Sequence, residues 1–438
     1  MWLIECAVYL YFLSTKPNTY NFEMSGPRKV PILRSVDKTT KYTDNMKEFL
    51  ESQKVDLSDD TFIQHYSTTA TTTSKIKIHP CYDKAKPVEN FSVPESTTCI
   101  RRSAVSQISL SDRPILCMAS HGNSLACGSA DHGIYEVTVA GDKLILNRNL
   151  YTKKYGHSEW VSALEYLPDG RLVSGGMDSK ICVWNSKSVL CQDLNGHAGS
   201  ISKVRCAENR IISSSYDRTL RIWDVGNLKI KELGKLSGHK GAVLDFIWNG
   251  GLKVVSAGRD GTIRLWDLGG SNDSIAITAH TGHVTAIDRL SENTVVTGGQ
   301  DSKVRFWDCR TGKIMISISS AHTAGAAVNC VHAINDSSIV STGADGRIAL
   351  SDLRHDKKVV GFWQWPETRF IYSSELLNSN LVLAANESGA VTLWNLQTCL
   401  PQSTIKVFEN AIRCISILKN RQIALCGDDG NLCLLDTD

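Results

Sequence analysis

Histidine, serine and aspartate recur together in this chain, and those three side chains are the ingredients of nucleophilic catalysis. The stretch from Gly196 to Asp224 reads GHAGSISKVRCAENRIISSSYDRTLRIWD. It opens on Gly196-His197, passes Asp217 and closes on Trp223-Asp224. The pattern returns as GHKGAV…SAGRDGTIRLWD from Gly238 to Asp267 and as GHVTAI…TGGQDSKVRFWD from Gly282 to Asp308. An earlier copy, GHSEWVSAL…SGGMDSKICVWN, runs from Gly156 to Asn185. A catalytic site is assembled once, whereas this constellation repeats, so the set reads as structural and no residue is assigned a catalytic role. The sequence also lacks G-x-S-x-G, GxxxxGKS/T, HExxH and a GxGxxG on a strand–helix unit. Its 14 cysteines include no CxxC pair, which removes the usual zinc spacing and leaves buried free thiols in a reducing compartment. No metal, cofactor or small-molecule substrate is expected.

The elements that position these residues emerge when the turn aspartate is used as a ruler. Asp131, Asp178, Asp217, Asp260, Asp301, Asp345, Ser388 and Asp429 mark eight units, each with an alternating apolar strand before and after the turn. A period of about 40–45 residues with a Gly-His start and a Trp-Asp finish resembles the WD40 repeat family. The resemblance covers residues 99–438 and is most specific over 156–308. It implies an all-β, WD40-like β-propeller of four-stranded blades. The ruler gives eight blades; the family's commoner seven is the alternative. Ile100 to Leu110 is then the outer strand that completes the last blade, and the outer units are degraded, as terminal repeats often are.

Within that family a histidine, a strand serine or threonine, the turn aspartate and a tryptophan form a hydrogen-bonded tetrad. The resemblance carries it onto His157, Ser174, Asp178 and Trp184; onto His197, Ser213, Asp217 and Trp223; onto His239, Ser256, Asp260 and Trp266; and onto His283, Thr297, Asp301 and Trp307. The sixth unit keeps His322, Ser341 and Asp345 but has Ser351 for tryptophan, and the seventh has Trp394 without its partners.

Propellers of this family bind proteins on the face where the d–a and b–c loops meet. The residue before each turn aspartate belongs there, which gives Met177, Tyr216, Arg259 and Gln300, with Glu159, Trp160 and Lys240 as neighbours. Aromatic, methionine and arginine side chains are those that protein-binding hot spots favour. Phe362-Trp363-Gln364-Trp365 is a second aromatic patch, either exposed for a partner or packed against the next blade. The form Trp307-Asp308-Cys309-Arg310, echoed at Asp352-Leu353-Arg354, resembles the motif by which WD40 substrate receptors meet cullin-RING ubiquitin ligases, with Arg310 and Arg354 as adaptor contacts.

Residues 1–98 differ from the rest of the chain. They are rich in Ser, Thr and Lys, as in Ser67 to Lys77, and read as a mostly irregular docking arm, extended or partly disordered, before the propeller of 99–438. Two short helical signals lie within it, one capped by Asp44 with Met46, Phe49 and Leu50, the other starting at Ser58 with Phe62 and Ile63. Trp2 to Ser14 is apolar but too short to span a membrane, and Met24 is an alternative first residue. Lys and Arg total 48 against 45 Asp and Glu, a net charge of +3, which supplies no basic footprint for nucleic acid or an anionic membrane.

The reading is a non-enzymatic scaffold that joins proteins in a large cytoplasmic assembly. The resemblance inclines it towards the cytoskeleton or a cilium or flagellum, with tubulin or axonemal subunits as partners. The alternatives are a cullin-RING substrate receptor and a signalling adaptor.

Overall fold

The computed structural model describes residues 21–25, 30–34 and 106–437, apart from 153–154, 227–229, 249, 270–273, 356–357, 366–369 and 419–420. The chain divides into two units, Met1–Val93 and Pro94–Asp438. Of the first, only an antiparallel hairpin is described, Asn21–Ser25 paired with Val30–Arg34. The expected mostly irregular arm otherwise lies outside the described residues, and this hairpin is its described part. Gly26-Pro27 between the two strands is the local turn signal that the bulk composition masks. The helical signals at 44–50 and 58–63 and the apolar run 2–14 lie outside the described residues.

The second unit is a ring of eight four-stranded antiparallel sheets, and among its described residues there is no helix. Eight blades settle the alternative of seven. Blade 1 spans residues 115–149, blade 2 161–194, blade 3 201–237 and blade 4 243–278. Blade 5 spans 284–318, blade 6 328–364 and blade 7 371–406. Blade 8 takes Ile412–Ile417, Ile423–Gly427 and Asn431–Leu435, and its fourth strand is Ser106–Ser109 from the other end of the unit. Strands within a blade are called a to d from the axis outward. Strand a of each blade lies against strand a of the next, and Ile412–Ile417 against Ile115–His121 closes the circle. Closure packs every strand a between two neighbours and leaves only short strand edges at the axis and the rim.

The burial pattern explains the sequence pattern. Strand b is sandwiched between neighbouring blades on both faces, so Leu172–Gly176 is buried throughout and reads as a continuous apolar or small-residue run. Strand d faces water, and Lys231–Ser237 is exposed at most of its positions. The core is a set of layers between blades. The layer at the closure joins Ile115, Leu125 and Val137 to Ala424, Leu432 and Leu434.

In blades 1 to 6 the b–c turn is built by its aspartate, whose Oδ1 accepts the N–H two residues on: Thr219 N to Asp217 at 3.0 Å, Thr262 N to Asp260 at 3.1 Å, Arg347 N to Asp345 at 3.1 Å. The residue between adopts positive φ in every blade. It is glycine at Gly261, Gly346, Gly389 and Gly430, but His132, Ser179, Arg218 and Ser302 in the others. Blade 7 lacks the aspartate, and Asn386 Oδ1 substitutes by accepting the N–H groups of Ser388 and Ala390 at 3.1 and 3.0 Å.

The turn aspartate also anchors the tetrad. In blade 3, Asp217 lies 2.8 Å from His197 Nδ1, His197 Nε2 lies 2.9 Å from Ser213 Oγ, and Trp223 Nε1 donates to that oxygen at 3.0 Å. Blades 2 and 4 repeat the chain, with His157 Nε2 2.7 Å from Ser174 Oγ and His239 Nε2 2.7 Å from Ser256 Oγ. Trp184 and Trp266 each donate to the serine of their blade at 2.8 Å. In blade 5 the histidine is His280, not His283. His280 Nδ1 is 2.7 Å from Asp301, its Nε2 is 2.8 Å from Thr297 Oγ1, and Trp307 donates to that hydroxyl at 3.0 Å. The physical reason is the length of chain between histidine and aspartate. His157, His239 and His280 all precede their aspartate by 21 residues, so the Gly282-His283 dipeptide comes too late to reach.

The other blades fill the same place differently. A backbone bond to the glycine of the preceding b–c turn marks the histidine position: His280 N to Gly261 O, Trp365 N to Gly346 O, Phe408 N to Gly389 O and Leu110 N to Gly430 O. Blade 7 therefore puts Trp365 there, and the buried indole N–H groups of Trp365 and Trp394 both lack a partner. Blades 1 and 8 go apolar, with Leu110, Cys127 and Val137 in one layer and Phe408, Leu425 and Leu435 in another. Blade 6 keeps His322 2.9 Å from Ser341 Oγ and 3.0 Å from Asp345, while buried Ser351 Oγ has no partner.

These contacts set the expected stability of variants. Ser213→Ala strips two buried nitrogens of their shared hydroxyl partner and is expected to lower unfolding free energy by about 2–4 kcal/mol, whereas Ser351→Ala is neutral or stabilising in denaturant titrations. At Gly430, φ is +70°, and an added Cβ would sit 2.0 Å from Ser111 O at the ring closure. Gly430→Ala is expected to cost about 2 kcal/mol or more, and Arg218→Gly to cost nothing. Burial alone would raise the Asp260 carboxyl, but bonds from His239 and Thr262 hold it below the ordinary carboxylate range. A depressed carboxyl stabilises above its unfolded pKa and loses that contribution as pH falls. Melting temperature is therefore expected to drop below about pH 4, and to drop less steeply in Asp260→Asn.

Candidate protein-binding face

The loops that precede strand a and those that join b to c meet at one end of the ring, stitched by a repeated backbone bond. The N–H of the residue before the turn aspartate donates to the carbonyl of the residue before strand a. Met177 bonds to Trp160 at 2.9 Å, Tyr216 to Ser200 at 2.9 Å, Arg259 to Ala242 at 2.7 Å and Gln300 to His283 at 2.9 Å. The same bond joins Glu387 to Phe370 and Asp428 to Ala411. Loops fixed by a rigid sheet are where binding residues concentrate.

The seven residues expected from the sequence all lie in these loops. Glu159 and Lys240 are exposed, and Trp160, Met177, Tyr216, Arg259 and Gln300 are half-buried. Half-burial suits recognition, because a partner can remove the remaining area without ordering a free side chain. The repeat pattern does not place His283 on this face. Displaced from the tetrad, its half-buried ring accepts from Arg259 Nε at 3.3 Å, and burial together with that guanidinium lowers its pKa.

Blades 7 and 8 add a second group at the mouth. Arg413 pairs with Asp428 through two contacts of 2.7 Å, and its guanidinium lies 4.0 Å from the centre of the Tyr372 ring. Phe370 stacks on Tyr372 with ring centres 4.7 Å apart. Burial raises the Arg413 penalty for charge, yet Asp428 pulls its pKa upward. Neither Arg413 nor Tyr372 stands beside a turn aspartate, so the repeat ruler offers no reason to select them.

The wall around the axis is polar. Arg205 reaches Glu165 at 3.1 Å, Lys203 pairs with Asp245, and His332 Nε2 lies 2.9 Å from Ser374 Oγ, each joining one strand a to the next. Burial would raise the Cys330 thiol, but bonding to His332 brings it below its ordinary value.

The aromatic patch of blade 6 resolves into two parts. Trp363 packs against the layer shared with blade 7, edge-on to buried Trp365 at 4.8 Å between centres, while Phe362 stays partly exposed beneath the Arg347 guanidinium. Arg310 and Arg354 come just after strand c, on the end of the ring opposite the stitched loops. Each guanidinium folds back on the aspartate two residues earlier, at 3.2 Å to Asp308 and 2.7 Å to Asp352, and both remain largely exposed.

The histidines of the tetrads are buried and bonded on both ring nitrogens, an arrangement that serves packing. Among the described residues, one group of three side chains has metal-ligand geometry: Cys182, Cys191 and Asp193. No CxxC spacing joins them, so no sequence motif announces the group.

Residues 148–185, 188–224, 230–267 and 273–308 match the WD domain, G-beta repeat family. The ribosome biogenesis protein YTM1 of Eremothecium gossypii is 33% identical over 93 residues, 21% of this chain and 21% of that protein. The guanine nucleotide-binding protein subunit beta of Dictyostelium discoideum is 34% identical over 128 residues, 26% of this chain and 36% of that one. The chain thus spans about a fifth to a third of the length of these relatives. Among solved structures, Chaetomium thermophilum Sqt1 bound to the N-terminus of ribosomal protein L10 superposes with a TM-score of 0.65 at 14% identity, covering 76% of this chain and 99% of that one. None of these three is a cytoskeletal or ciliary protein, and the expected cytoskeletal or ciliary setting finds no support in them. Four matched repeats inside a closed ring of eight blades make this chain a WD40-repeat β-propeller.

Proposed function

We propose that this protein is a non-catalytic scaffold in ribosome assembly, holding an extended segment of a partner protein across the stitched mouth of its propeller. The observation that carries the reading is the mouth itself. Trp160, Met177 and Tyr216 lie half-buried in the loops of blades 2 and 3, and Phe370 and Glu387 give blade 7 an aromatic and acidic character. An aromatic and acidic surface suits a segment rich in lysine and arginine, since rings bind cations and carboxylates pair with them. The names of YTM1 and of the Sqt1 complex favour a ribosomal partner over tubulin or an axonemal subunit. Cytoplasmic placement, expected from the sequence, belongs to the same proposal. The exposed Arg310 and Arg354 on adjacent blades support the second reading, a ligase substrate receptor, through the opposite face.

The test is affinity purification of the full chain with mass spectrometry, beside Trp160→Ala with Met177→Glu and, separately, Arg310→Ala. Loss of two hot-spot side chains is expected to reduce recovery of ribosomal proteins at least roughly thirtyfold while Arg310→Ala retains it. Recovery of a cullin adaptor that vanishes with Arg310→Ala would establish the second reading. Recovery of tubulin in place of ribosomal proteins would return the protein to the cytoskeleton.

A further inference from the structure

Strands c and d of blade 2, Ile181–Trp184 and Cys191–Leu194, pair so that Cys182 faces Asp193 and Trp184 faces Cys191. Residues directly opposite in an antiparallel pair share a face, as do residues two apart on one strand. Cys182, Cys191 and Asp193 therefore project from the same side of the sheet, although the two thiols lie nine residues apart on different strands. One carboxylate oxygen receives both: Asp193 Oδ1 lies 3.5 Å from Cys182 Sγ and 3.4 Å from Cys191 Sγ. All three ligand atoms lie within 4.8 Å of one another.

A tetrahedral zinc ion, with Zn–S near 2.3 Å and Zn–O near 2.0 Å, places sulfur and oxygen ligands about 3.5 Å apart. The two sulfur–oxygen distances already match that edge. We propose that Cys182, Cys191 and Asp193 form a binding site for a thiophilic divalent cation of the zinc class, with water completing the tetrahedron. The site is graded from outside to inside. Asp193 is exposed, Cys191 is half-buried, and Cys182 sits fully buried beside Trp184, Ile134 and Leu172. An ion enters from the Asp193 side and is retained by the buried thiolate.

Neighbouring charges define the competition. Lys180 Nζ lies 3.5 Å from the other oxygen, Asp193 Oδ2, so Oδ1 is the one turned to the thiols. Asp178 adds negative charge nearby, and Arg148 of blade 1 grips the carbonyls of Ser186 and Ser188 in the c–d turn. Without an ion, the bond to Cys191 and then burial hold the Cys182 thiol well above its ordinary value, and Asp193 and Asp178 push the same way. Binding replaces the two thiol protons with one divalent cation and releases them to solvent, so affinity rises with pH.

The experiment titrates cobalt(II), then zinc(II), into the full chain held reduced and metal-free. One equivalent of cobalt is expected to give a near-ultraviolet thiolate-to-metal band that zinc bleaches. Cys191→Ser should abolish the band and Asp193→Asn weaken binding at least roughly tenfold, both with nearly unchanged melting in metal-free buffer, since Asp193 is exposed and Cys191 lies only at the edge of the core, where serine is close in size. Lys180→Ala should leave binding equal or tighter. No band in the parent protein, or a band that survives Cys191→Ser, would overturn the proposal. So would recovery of Cys182 and Cys191 as a disulfide from freshly lysed cells.

Discussion

A histidine buried between two blades must have both ring nitrogens satisfied, and the architecture of this ring depends on how that demand is met. In blades 2 to 5 an aspartate holds one nitrogen and a hydroxyl the other, while an indole N–H closes the chain on the same hydroxyl. One aspartate thereby serves three structures at once. Its Oδ1 shapes the b–c turn, its carboxylate fixes the histidine, and in blades 2 to 4 its Oδ2 receives the N–H after the histidine, as from Ser158 at 3.0 Å and Ala198 at 3.0 Å. The loop before strand a and the turn after strand b are thus tied to one side chain. The mouth of the propeller is rigid because its two loop types share that anchor.

The remaining blades show that the demand can also be removed. Replacing the histidine, the hydroxyl and the tryptophan together leaves no orphan, and blades 1 and 8 do so with Leu110, Cys127 and Val137 and with Phe408, Leu425 and Leu435, while Asp131 and Asp429 keep other donors. Partial replacement is worse than either extreme, because a buried donor without an acceptor keeps its full desolvation cost. Blade 7 carries that cost twice, at Trp365 and Trp394, and blade 6 once, at Ser351. Strength in this ring is therefore graded. The fully bonded tetrads occupy blades 2 to 5, and the apolar pair meets at the closure, where Ser106–Ser109 completes the last sheet.

The blade count and the tetrads of blades 2 to 4 are legible in the sequence because each depends on residues at fixed spacing within one unit. His283 shows the limit of a short motif: the dipeptide Gly-His is present, but the chain length to Asp301 is wrong, and counting that length singles out His280. Phe408 can be read as the occupant of the histidine position by the same count, 21 residues before Asp429, whereas Trp365 precedes a turn with no aspartate to count from and is identified by its backbone bond to the preceding turn. Arg413, Tyr372 and Asp428 converge from two blades, a juxtaposition that no single repeat contains. The hairpin at Asn21–Arg34 lies in a stretch whose bulk composition outweighs its local turn chemistry.

The same distinction bears on where new chemistry arises in a repeat protein. Tetrad positions are constrained in every copy, so a change there is costly unless its partners change with it. Strand d is constrained least, since it faces water on the outer rim and its residues differ freely between blades. Cys191 and Asp193 lie on such a strand, with Cys191 at the edge of the packed layer and Cys182 buried within it. A pair of outer-strand substitutions opposite one buried cysteine is enough to bring three ligands together without disturbing the turn, the tetrad or the mouth. Partner recognition at the mouth and ion binding at the rim can therefore vary independently on one ring, because the aspartate anchors keep the first rigid while the second is assembled outside them.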